Sequence, residues 1–289
     1  MEKFKGLFTA QLTPFTADGK INEKALEQLI KNNIKMGVKG FYVGGTTAEA
    51  FLMSADERKY LLELVKSMAE DKTIIAHIGS LNEAEAISLA QHAEKTGADA
   101  ISSVAPFYYK FTFNEIKNYY NRVADSVSIP MLVYNFPMNT GVTMTMKELG
   151  EFFKDDKFFG FKHTSSDFFT LEQVKANFPE KIALNGFDEM VLAGLSMGAD
   201  GGIGSTYNFM ADKFVKIREL FMENKIAEAQ EIQHTVNKIV AVLFRLGLMP
   251  AQKEVLNQMG LDFGVCRHPF GELDEQGKET IRKEILPLL

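Results

Sequence analysis

The chain has 289 residues, 46% of them hydrophobic and 24% charged, which is enough apolar side chain for one large core; α/β barrels reach this size as a single domain. A formal net charge of −6, with no Lys/Arg cluster, excludes nucleic acid as a partner, because phosphates need a basic face. The lone cysteine, Cys266, rules out an internal disulfide and points to a reducing compartment.

Met1-Glu2-Lys3-Phe4-Lys5-Gly6 carries no apolar signal core, and no later run is long enough to span a bilayer. A soluble cytoplasmic protein with no membrane partner is expected. Short apolar runs then alternate with amphipathic ones. Strands are predicted at 6–12, 40–44, 73–78, 98–104, 130–135, 158–163, 182–186 and 201–205, with helices at 23–36, 55–70, 83–96 and 114–126 among the connections. Ser54-Ala55-Asp56-Glu57 and Thr145-Met146-Lys147-Glu148 fit the capping box. Gly37, Gly97 and Gly198 each follow a helical run and precede a buried strand, as a helix C-cap requires.

Eight strands alternating with helices predict an α/β fold, a (β/α)8 TIM barrel over 1–224. Residues 225–289 read as a C-terminal helical extension of the same domain, including the amphipathic stretch 227–246. A barrel does not need this extension, which is expected to pack on the barrel wall or make a subunit contact.

In such barrels the chemistry gathers where strands end. Phe158-Phe159-Gly160-Phe161-Lys162-His163 is an apolar run that ends in one amine. An amine without access to water loses part of its preference for the charged form, and the neutral form is the one that attacks carbonyls. The competing reading is an ion pair at a strand end. Pro130-Met131-Leu132-Val133-Tyr134-Asn135 is a second buried run, and Tyr134 offers a phenol to move protons. After the second strand, Gly44-Gly45-Thr46-Thr47-Ala48-Glu49 offers backbone N–H groups and hydroxyls to an anion. With no cation there, a carboxylate is favoured over a polyphosphate; an ordinary helix N-cap is the plainer alternative. Asp188 and Glu189, after the seventh strand, suit a polyol or simply begin the next helix.

The histidines lack metal-ligand spacing, and His77 reads as a hydrogen-bonded core residue. Gly202-Ile203-Gly204 is a poor nucleotide fingerprint. No metal or organic cofactor is expected, because an imine formed on the amine is itself an electron sink.

Together with Tyr42-Val43-Gly44-Gly45-Thr46-Thr47, Pro106-Phe107-Tyr108-Tyr109, Tyr134-Asn135-Phe136-Pro137, Asn185-Gly186-Phe187-Asp188-Glu189 and Cys266-Arg267-His268-Pro269, these residues resemble a known family along essentially the whole chain. It is the family of pyruvate-dependent Schiff-base lyases and aldolases that includes dihydrodipicolinate synthases and N-acetylneuraminate lyases, and the likeness is greatest to its sialate-cleaving branch. The resemblance implies reversible retro-aldol cleavage of N-acetylneuraminate to N-acetylmannosamine and pyruvate, in a homotetramer. It implies that Lys162 forms the Schiff base, that Tyr134 donates the proton and that Thr46 and Thr47 hold the substrate carboxylate. It assigns the sugar-like tail to Thr164, Gly186, Asp188, Glu189 and Ser205, and a contact with a neighbouring subunit's site to Tyr108 or Tyr109.

Two positions depart from the sialate-cleaving pattern. Thr46 stands where a serine is usual, and Ala48 stands where a glycine is usual. If position 48 needs a positive φ, the alanine costs about 1 kcal/mol and shifts the carboxylate donors. The synthase alternative requires an arginine soon after the tyrosine motif, where this chain has Met138-Asn139-Thr140. A third alternative, an inactive sensor barrel, would be expected to have lost Lys162 or Tyr134.

Overall fold

The computed structural model describes residues Met1–Leu289. Eight strands, β1 (Gly6–Ala10), β2 (Gly40–Val43), β3 (Thr73–His77), β4 (Ala100–Val104), β5 (Met131–Asn135), β6 (Phe158–His163), β7 (Ile182–Asn185) and β8 (Gly201–Gly204), pair in parallel and close as β1 meets β8. Their limits fall within two residues of those the apolar runs predict. The helices packed around them are α1 (Glu23–Lys35), α2 (Ala55–Met68), α3 (Glu83–Thr96), α4 (Phe113–Asp125), the single turn α5 (Pro137–Thr140), α6 (Met146–Phe153), α7 (Phe168–Asn177), α8 (Val191–Ser196) and α9 (Tyr207–Met222). Both predicted capping boxes form, and Thr112 with Glu115 makes a third at the start of α4. Gly97 caps α3 at a φ of 84°, where a Cβ would be strained.

Alternation along the strands divides the core in two. Leu7, Phe41, Ile74, Ile101, Val133 and Phe161 face outward into the apolar layer beneath the helices. Phe8, Tyr42, Ile75, Leu132, Tyr134 and Leu184 face inward and fill the barrel. One strand breaks the rule. Met131 pairs with Phe158, but the next residue, Leu132, pairs with Gly160, so β6 carries one extra residue at Phe159-Gly160. A bulge of this kind re-aims every later side chain. Phe159 belongs to the inner cluster and Phe161 to the outer one, which returns Lys162 to the interior. Gly160 is required there: a Cβ would sit 2.0 Å from the Ile182 carbonyl oxygen.

The C-terminal segment forms α10 (Ile226–Leu246), α11 (Leu248–Gln258) and α12 (Glu275–Thr280). α10 lies along α9 and α8 on the barrel wall and reaches the 3₁₀ turn Asp188–Met190. Packing on the wall is thus one role of the extension.

Candidate active site

Lys162 is buried at the C-terminal end of β6, with its amine 4.2 Å from the centroid of the Tyr134 ring and 4.7 Å from that of Tyr42. It takes part in no ion pair or hydrogen bond within the chain, so the strand-end ion pair is not what this lysine forms. The fully buried Lys253 supplies the contrast, since it is paired with Glu49. Tyr134 is the direct register partner of Lys162 on β5 and is buried, with its ring stacked on Phe136 at 5.6 Å.

Tyr42 is a site-facing residue that the sequence marks only as part of a motif. Its inward place in the alternation of β2 is the signal that identifies it. Its hydroxyl donates to Ser102 Oγ at 3.0 Å, and burial, with Tyr134 adding to it, pushes its ionisation well above the ordinary phenol range. His77 lies on the same inner surface and is fully engaged: Nδ1–H donates to the Gly44 carbonyl at 2.9 Å, and Nε2 accepts from the Val104 N–H at 3.4 Å. Burial, reinforced by Arg58, pushes this imidazole down to about 3. It is a neutral core residue, as its position in an apolar run suggests. His163 points outward and is held by the Asn135 side chain and the Asp167 carbonyl.

Beyond β2 the chain makes a 3₁₀ turn over Thr46–Ala48. Ala48 and Glu49 donate their N–H groups back to Gly45 and Thr46, while the Thr46 and Thr47 hydroxyls have no partner in the chain. The first N–H groups of such a turn have no acceptor within it, which leaves donors for an anion. The expected strain at Ala48 is absent. The left-handed residue is Glu49, with a φ of 62°, whereas Ala48 closes the turn and its carbonyl accepts from Thr13 Oγ1 at 3.0 Å. A methyl group is tolerated because position 48 keeps helical geometry.

Across the mouth, Asp188 is buried, with Oδ2 accepting from the Thr206 N–H at 2.8 Å and the Thr206 hydroxyl at 2.7 Å. Ser205 Oγ lies 3.4 Å from the same oxygen. Oδ1 is buried without a partner. Burial raises the carboxyl above its ordinary range, against the opposing pull of Thr206 and Lys162. Glu189 is half-buried and also raised, by burial first and then by Asp188. Thr164 Oγ1 is a second buried oxygen without a partner, and Gly186 closes over it so tightly that a Cβ would come within 1.9 Å. Beneath this loop Gln233, on α10, donates to the Asp188 carbonyl at 3.2 Å and accepts from the Leu192 N–H at 3.1 Å. No sequence signal marks Gln233, because it lies on the extension, far along the chain from the loop it supports.

The structure therefore brings Lys162, Tyr134, Thr46, Thr47, Thr164, Gly186, Asp188, Glu189 and Ser205 to one end of the barrel. Tyr108 and Tyr109 lie apart, 83% and 65% exposed on the β4–α4 loop. They border a groove of about 480 Å³ shared with Phe111, Thr140 and Met144.

The sequence matches the Dihydrodipicolinate synthetase family over residues 3–287. It is 41% identical over 288 residues to the N-acetylneuraminate lyase of Rhizobium meliloti (strain 1021), covering 99% of this chain and 96% of that protein. The fold is similar to that of CdNal from Clostridium difficile, crystallised in complex with mannosamine, with a TM-score of 0.96, 41% identity and 99% of each chain covered. It is also similar to the N-acetylneuraminate lyase of Fusobacterium nucleatum complexed with pyruvate, with a TM-score of 0.92 and 40% identity over 98% of each chain.

Proposed function

The chain belongs to the dihydrodipicolinate synthetase family, and from that membership we propose that it is a carbon–carbon lyase cleaving N-acetylneuraminate reversibly to N-acetylmannosamine and pyruvate. The relatives with mannosamine and with pyruvate support the two halves of that substrate. The observation that carries the chemistry is the buried amine of Lys162, free of any ion pair and faced by two aromatic rings.

Lys162 attacks the C2 ketone of the open-chain sugar, water leaves and a protonated imine forms. Its positive nitrogen lies between Tyr42 and Tyr134, whose π faces favour a cation. The C4 hydroxyl loses its proton, the C3–C4 bond breaks, and the electron pair passes through C3 to the imine nitrogen. N-acetylmannosamine leaves as the aldehyde. The remaining enamine is protonated at C3, and hydrolysis releases pyruvate and the free amine. Tyr134 carries the proton, directly or through Thr46, Thr47 and the substrate carboxylate. Thr46 and Thr47 hold that carboxylate.

Asp188, Glu189, Ser205, Thr164 and Gly186 receive the polyhydroxyl tail, remote from the bond that breaks. The free Asp188 Oδ1 and Thr164 Oγ1 are suited to this, because a buried oxygen without a partner gains most from a substrate hydroxyl. The turn α5 carries Met138 and Asn139 and no cation to receive a second carboxylate, which favours a sugar over the synthase substrate. The reaction needs no cofactor, since the imine accepts the electrons.

Tyr108 or Tyr109, both exposed, reaches the site of a second copy of the chain in a homotetramer. No helix is long and apolar enough to cross a membrane, and a cytoplasmic location completes the reading. Pyruvate release from N-acetylneuraminate by the wild type, and none by a folded Lys162→Met variant, is the expected result. Release by both would refute the mechanism. Release by neither would refute the substrate, and borohydride trapping of pyruvate on Lys162 would then test the imine by itself.

A further inference from the structure

Glu49 occupies an unusual position. It adopts a left-handed φ of 62°, which few residues other than glycine accept, and its side chain is fully buried. Its carboxylate faces the C-terminal segment. Lys253 of α11 places its ammonium 2.6 Å from Glu49 Oε1, with side-chain exposures of 1% and 0%. The Arg267 backbone N–H donates to Oε2 at 2.7 Å. Lys253 also donates to the Val265 carbonyl at 2.9 Å and stands 4.3 Å from the centroid of the Phe15 ring.

The Glu49 N–H closes the turn by donating to the Thr46 carbonyl at 3.0 Å. The turn carrying Thr46 and Thr47 is thus tied at two points, through Ala48 to Thr13 and through Glu49 to the C-terminal helices. A buried pair holds geometry strictly, because displacing either partner strands a charge in an apolar surround. Donors aimed at a carboxylate need such support, since small errors in position weaken them sharply.

We propose that Lys253, acting through Glu49, is a positioning residue for the substrate carboxylate. The C-terminal segment then sets the geometry of the pyruvate half of the site rather than only covering the barrel wall. The inference rests on the reading that Thr46 and Thr47 hold that carboxylate.

The test uses the full chain and borohydride trapping at Lys162, with two carbonyl compounds in parallel: pyruvate, and hydroxyacetone, which lacks the carboxylate. Glu49→Gln/Lys253→Met removes both charges and strands neither. Glu49→Gln alone, which keeps an acceptor for the Arg267 N–H, is made beside it in case the double variant fails to fold. The expected result is a rise of about tenfold or more in the half-saturating pyruvate concentration, with hydroxyacetone trapping unchanged. Unchanged pyruvate trapping in a folded variant overturns the proposal. Equal losses for both carbonyls also overturn it, because they mark a purely structural role.

Thr46→Ala/Thr47→Ala separates carboxylate binding by the turn from positioning by Glu49 and Lys253. If that variant traps pyruvate as the wild type does, and the wild type traps pyruvate no better than hydroxyacetone, the carboxylate reading fails and takes the proposal with it. If it weakens pyruvate while the Glu49 and Lys253 variants do not, only the positioning proposal fails.

Discussion

Tyr134 and Lys162 are direct partners across two neighbouring strands, and the amine of the lysine lies 4.2 Å from the ring of the tyrosine. Unbroken alternation from Phe159 would have pointed Lys162 into the helix layer. The extra residue at Phe159-Gly160 turns it inward, beside Tyr134 and Tyr42, so a local irregularity of β6 decides whether the barrel holds an amine at all.

Gly160→Ala should therefore damage the site out of proportion to its one added methyl group. The new Cβ meets the Ile182 carbonyl, which is backbone and cannot swing aside. A loss of about 3 kcal/mol or more in unfolding free energy is expected, with loss of pyruvate trapping on Lys162. Denaturant unfolding and trapping together check this, and a stable, fully active variant would remove the bulge from the argument.

Tyr134→Phe keeps the ring against Lys162 and removes only the hydroxyl. General acid–base catalysis contributes about 10²–10⁴-fold, so kcat should fall by that order while N-acetylneuraminate still binds. A change confined to KM would make Tyr134 a binding group alone.

Asp188→Asn preserves an acceptor for Thr206 while changing the charge presented to the tail. A hydrogen bond to a charged group contributes about 1.5–3 kcal/mol, so KM for N-acetylneuraminate should rise about tenfold or more. Trapping of pyruvate, which has no tail, should not change. If both fall together, Asp188 does not divide the site as proposed.

His77 links stability to pH. Folded, its imidazole is pushed down to about 3 by burial; unfolded, it returns to the ordinary 6.5. Between those values the unfolded chain binds more protons, so stability is full above about pH 6.5 and falls with decreasing pH, by at most about 1.4 kcal/mol per pH unit for one group. Burial also lowers the pKa of His163, which adds to the slope with the same sign. Denaturant midpoints at pH 7 and pH 5 should show the loss, and an NMR titration should find the folded His77 ring neutral at pH 5. A folded-state transition near 6.5 at His77 would contradict its placement.

Tyr108→Ala/Tyr109→Ala removes two exposed rings from the edge of the groove shared with Phe111 and Met144. In a homotetramer built on this face, sedimentation should show smaller species and N-acetylneuraminate turnover should drop. An unchanged mass for wild type and variant would move the interface elsewhere.

The periodicity of apolar residues was enough to place all eight strands, because each buried strand is a short run bounded by polar or glycine-rich sequence. The capping boxes were equally legible, since they depend on residues three apart. Ala48 illustrates the limit: the sequence identified a loop with special geometry, but the left-handed backbone lies one residue on, at Glu49. That residue is paired with Lys253, about 200 residues away along the chain, a contact no local pattern signals. Gln233 beneath Asp188 was hidden for the same reason.

What the sequence determined by itself was local and periodic: the strands, their order, the caps, and an amine and a phenol at the ends of two buried runs. Only the tertiary structure decided which way Lys162 faces, that Tyr42 stands over it, and that the C-terminal helices support the loops at the mouth. Those outcomes depend on register and on contacts between distant segments. Such contacts form when the barrel closes, and no window of neighbouring residues encodes them.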